Sequence, residues 1–81
     1  MASDKLRENI CRRVSEILRE ERMKQGLSMT LLAERAGLSQ QMVSYVERGM
    51  RNPTLDSLLR ITAALNLDLG KLISKASTES K

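Results

Sequence analysis

Eighty-one residues, 41% of them hydrophobic but only 1% aromatic, allow one small domain with an aliphatic core, which favours helices packed on helices. Histidine is absent and Cys11 is the lone cysteine, so an intramolecular disulfide and a Cys/His metal site are excluded, a reduced intracellular compartment fits best, and nothing calls for a cofactor or forms a catalytic constellation. The net charge of +4 is compatible with a polyanionic partner, and the absence of any apolar run near the ~20 residues of a membrane span, or of a secretory-type apolar core, predicts a soluble, cytoplasmic chain with no membrane partner.

The first predicted element is an amphipathic helix from about Asp4 to Gln25, with Leu6, Ile10, Val14, Ile17, Leu18 and, less regularly, Met23 spaced for one face and charges between them. Ser3 or Asp4 suits its cap, and Gly26 its end. Ser28 caps a second helix, about Met29 to Ala36, in which Leu32, Ala33 and Ala36 are the expected buried positions; Ala33 is small enough to let the next helix cross closely. Gly37 turns the chain, and Ser39 caps a third helix, about Gln40 to Arg48, stopped by Gly49. At helical spacing Val43 and Val46 face inward over Leu38, while Gln40, Gln41, Ser44, Tyr45 and Arg48 face solvent. Two short helices joined by a tight turn form a helix-turn-helix, whose second helix is free to enter a DNA major groove.

Pro53 keeps the residue before it out of helical geometry. Thr54 caps a fourth helix, about Leu55 to Leu65, with Leu55, Leu58, Leu59, Ile61, Thr62 and Leu65 on its apolar side, and Asn66 suits its stop. Asp68 caps a fifth, about Leu69 to Lys75, and the polar tail Ala76 to Lys81 is expected to fray. Residues 1–81 therefore read as a single all-α domain with its motif over 28–49.

The order Arg22, Gly26, Leu27, Ser28, Leu32, Ala33, Ala36, Gly37, Leu38, Ser39, Val43, Ser44, Glu47, Gly49, Pro53, Leu58 and Leu65 resembles the lambda-repressor-like, or XRE-type, helix-turn-helix family, over roughly Ile17 to Lys75. The resemblance implies a compact five-helix domain that binds operator DNA, usually as a homodimer on a palindromic site. Phage repressors, restriction-modification controller proteins and small plasmid or antitoxin regulators share that fold. Here the first helix extends two turns ahead of the usual family start. By position, Gln40, Gln41, Met42, Ser44 and Tyr45 correspond to residues that meet base edges or flanking phosphates, and Arg48, Arg51 and Asn52 to backbone clamps. Ser28 and Met29 stand at the phosphate-facing start of the second helix, where the family commonly has glutamine in place of Met29. Met29 cannot make that side chain's hydrogen bonds, so the backbone N–H groups must serve the phosphate without it. The family pattern also pairs Arg22 with Glu47 as a structural ion pair.

The residue chemistry fits these roles. A glutamine in the major groove can pair bidentately with adenine N6 and N7. The Tyr45 phenol can donate to a phosphate or lay its ring on a thymine methyl, and Arg48 and Arg51 supply sequence-independent charge, with the minor groove as a second destination for Arg51. Leu6 and Ile10 on the first helix, and Leu69, Leu72 and Ile73 on the last, are candidates either for the core or for a dimer contact. The leading expectation is a sequence-specific regulator of transcription, homodimeric on double-stranded DNA, and not an enzyme. The alternative is an antitoxin or adaptor-type module that engages a protein partner, with DNA contact secondary; salt titration on specific and random duplex separates the two.

Overall fold

Four of the helix starts along this chain are set by short polar side chains. A computed structural model describes residues 2–50 and 53–80, and contains α1 (Ala2–Lys24), α2 (Met29–Ala36), α3 (Gln40–Arg48), α4 (Leu55–Ala64) and α5 (Leu69–Glu79). Arg51 and Asn52 of the expected clamp lie outside the described residues, as does Lys81. Ser28 Oγ accepts from the Leu31 N–H at 3.0 Å, Ser39 Oγ from Met42 at 3.0 Å, Thr54 Oγ1 from Ser57 at 3.0 Å and Asp68 Oδ1 from Lys71 at 2.9 Å. Each bond satisfies a first-turn N–H that has no partner within its helix.

The turn between α2 and α3 depends on Gly37, which sits at φ +70° while the Leu38 N–H closes back on the Ala33 carbonyl at 2.9 Å. An added Cβ there would also stand 3.1 Å from Arg60 Nη1, whereas at Gly26, φ +72°, it would meet nothing within 4 Å. Gly37→Ala should therefore cost ~1–2 kcal/mol of backbone strain in urea unfolding, and at least as much as Gly26→Ala. Full wild-type stability in Gly37→Ala would show that the turn relaxes.

The core is aliphatic throughout. Leu18, Leu32, Val43, Val46, Ile61 and Leu65 are each 2% exposed or less, and Ala33, Ala36 and Ala76 fill the narrower gaps. α3 packs against both α1 and α2, α4 covers α2, and α5 lies along α1. α3 thus has protein behind it and its other side open.

Met23, which spacing put less regularly on the apolar face of α1, is 57% exposed, and the structure departs from the sequence reading in three further places. α1 begins at Ala2, so Ser3 and Asp4 fall inside the helix and neither caps it; Asp4 lies in the first turn, where a carboxylate complements the helix dipole. In α4, Ile61, Thr62 and Leu65 are buried, but Leu55 and Leu59 are 65% and 50% exposed. A ten-residue helix presents one stripe to α2, and Leu55 and Leu59, four apart, lie beside that stripe. Buried Thr62 is satisfied by donating to the Leu58 carbonyl at 2.9 Å, and Asn66, at φ +61°, turns the chain after α4.

The third departure is the polar tail. α5 continues to Glu79 with Ala76 fully buried, one turn beyond buried Leu72. Arg13 Nε on α1 donates to Glu79 Oε1 at 2.6 Å, while its Nη1 reaches Glu16 and Glu20 at 3.3 Å each. The hydrogen bond from Arg13 holds the Glu79 carboxyl below its usual range. Such an exposed pair fixes the position of the last turn more than it stabilises the fold. Among the described residues no helix is long and apolar enough to cross a membrane.

Candidate nucleic-acid interface

The inner side of α3 is anchored by apolar packing and by one ion pair. Val43 and Val46 are buried, and so is Glu47, in the last turn. Arg22 of α1 grips it with two parallel bonds, Nε to Oε2 at 2.7 Å and Nη2 to Oε1 at 3.1 Å, and Nη1 donates to the Leu27 carbonyl at 2.7 Å. The side chains are 11% and 4% exposed. One guanidinium thus joins α1, the loop entering α2 and the end of α3, and the fork geometry fixes the rotation of α3 about its axis.

That rotation turns the polar side outward. Gln40 and Gln41 are exposed, and Ser44 and Tyr45 are half-buried one turn further on. Gln41 Nε2 donates to the Tyr45 hydroxyl at 2.7 Å, joining two residues that their spacing places on one stripe. Met42 is half-buried and packs on the core, as does Met29 at the start of α2. Ser28 is exposed beside Met29, with its Oγ engaged by the Leu31 N–H. Arg48 is exposed at the end of α3. Among the described residues no group of His, Cys, Asp or Glu could hold a metal ion.

Arg48 also borders a groove where α1, α4 and α5 meet, floored by Ile10, Val14, Pro53, Leu58 and Ile73 and rimmed by Arg7 and Arg12. The candidate dimer residues separate here. Leu72 belongs to the core, and Ile10 packs against it; Leu69 is half-buried, and only Leu6 and Ile73 are exposed. Leu55 and Leu59 join them as exposed leucines that helical period alone assigns to the interior.

Comparison with known proteins places this geometry. The helix-turn-helix family model matches residues 18–72. The control protein C.SmaI of Serratia marcescens is 34% identical over 84% of this chain and 81% of its own length. The HTH-type transcriptional regulator SutR of Escherichia coli is 36% identical over 83% of this chain, which spans only 38% of SutR. Among solved structures, the restriction-modification controller protein C.AhdI from Aeromonas hydrophila superposes with a TM-score of 0.71 at 36% identity, covering 78% of this chain and 94% of that one.

Proposed function

Because the chain belongs to the XRE-type helix-turn-helix family, we propose that it is a cytoplasmic, sequence-specific regulator of transcription that binds a palindromic operator as a homodimer. The observation that carries this reading is α3 itself, anchored from behind through Glu47 and Arg22 while Gln40, Gln41, Ser44 and Tyr45 remain on its outer side. Amides and hydroxyls on an exposed helix match the donor and acceptor pattern of base edges in the major groove. Arg48 at the helix end and the capped start of α2 at Ser28 and Met29 supply phosphate contacts on either side, which set register without reading sequence. Two copies would place their α3 helices in successive major grooves about 34–36 Å apart.

Selection of bound sequences from a random duplex library tests the proposal. A palindromic site should emerge, and Gln41→Ala should relax preference at one position in each half. Arg48→Ala should instead weaken every sequence alike and reduce the slope of log K against log salt by about 1 for each phosphate that its guanidinium neutralises. Weak binding that moderate salt abolishes, with no enriched sequence, would favour an adaptor that acts through a protein partner.

A further inference from the structure

We propose that Tyr45 is a positioning residue: its hydroxyl holds the Gln41 amide in the orientation that reads adenine and rejects guanine. The inference rests on α3 being the base-reading helix. Tyr45 is the one aromatic residue in the chain and is half-buried, on a helix whose inner side is locked by Val43, Val46 and Glu47. Gln41, one turn before it, is exposed, and a free glutamine would sample several rotamers. The 2.7 Å bond from Gln41 Nε2 to the Tyr45 oxygen ties that mobile amide to the ring.

The consequence for recognition follows from counting hydrogens. A primary amide carries two N–H donors on one side and a carbonyl acceptor on the other. Guanine shows two acceptors in the major groove, N7 and O6, which a free glutamine can meet by turning both N–H groups toward them. With one N–H committed to the phenol, the amide presents a single donor beside Oε1. That pattern complements N7 and N6–H₂ of adenine, and it sets Oε1 against O6 of guanine. Tyr45 thereby narrows what Gln41 can accept, without itself touching the base.

Tyr45→Phe removes the hydroxyl and keeps the ring. Binding of wild type, Tyr45→Phe, Gln41→Ala and the double variant would be measured on the selected operator and on copies carrying each other base at every position. The preference for adenine over guanine should fall about three- to tenfold in Tyr45→Phe, the worth of one hydrogen bond, at the position where Gln41→Ala acts. The double variant should match Gln41→Ala, and the melting temperature of Tyr45→Phe should stay at the wild-type value. An unchanged preference in Tyr45→Phe, a change at a different position, or effects that multiply in the double variant would overturn the proposal while leaving sequence-specific binding intact. So would a Gln41→Ala variant with unaltered preferences. Failure of the wild type to enrich any sequence would instead remove the premise, and the proposal with it.

Discussion

Glu47→Ala is expected to lower stability by ~3–5 kcal/mol and to abolish DNA binding by loosening the fold rather than by removing a group that touches DNA. The carboxylate is 4% exposed and takes two bonds from Arg22, so its removal leaves a guanidinium, itself only 11% exposed, with the Leu27 carbonyl as its remaining partner. For a domain of this size each kcal/mol is worth roughly 4–8 °C in melting temperature, so the transition should fall by about 12 °C or more. Arg22→Ala should cost as much, since it strands a carboxylate that is buried more deeply. Replacing both by apolar residues of similar volume should recover a large part of the loss, because the desolvation of both charges disappears together. Unchanged melting temperatures in the single variants would show that the pair does not hold α3, and the loss of DNA binding would then need another cause.

How much of this architecture could be read from the chain depended on how local each cause was. The caps Ser28, Ser39, Thr54 and Asp68 were legible because each acts on an N–H three residues away. Gly37 and Gly49 were legible because the left-handed conformation at each belongs to a single residue. Val43 and Val46 followed from helical period alone. Leu55 and Leu59 did not, since a leucine stripe looks the same whether or not another helix covers it, and that depends on where α2 lies. Ala76 and Glu79 were hidden for a related reason. What holds the last turn of α5 is Arg13, 66 residues earlier, and no local pattern in a polar tail records it. Glu47 was legible through the family pattern, which pairs it with Arg22, whereas nothing local names a partner 25 residues away. The Gln41–Tyr45 bond was half legible: spacing put the two side chains on one stripe, but whether they bond each other is a matter of rotamers.

The exposed apolar residues that the fold leaves over carry the other large expected effect. Leu55 and Leu59 on α4, Ile73 on α5 and Leu6 on α1 are each more than a third exposed, and Ile73 lines the groove together with Ile10, Val14, Pro53 and Leu58. Isolated leucines on a surface need no explanation, but an apolar groove where three helices meet, with exposed Ile73 in its lining, is the kind of patch that marks an interface. We propose that, in the homodimer, the two copies would meet at this groove. Leu59→Lys combined with Ile73→Lys places one charge in the groove and one on the exposed residue next to groove-lining Leu58, while leaving the core residues Ile61, Leu65 and Leu72 in place, so the folded monomer should persist with its helical content and a melting transition. Light scattering at micromolar concentration should then report a monomeric mass where the wild type reports a dimer. Affinity for a palindromic duplex should fall by about 10²–10⁴, since each half-site would be bound without its tethered neighbour, whereas binding to a single half-site should change little. A double variant that keeps both its dimeric mass and its affinity would place the two-fold interface elsewhere. Because Arg48 borders the same groove, a dimer formed there would set the end of each reading helix close to the two-fold axis, so the geometry of the interface would also fix the spacing of the half-sites.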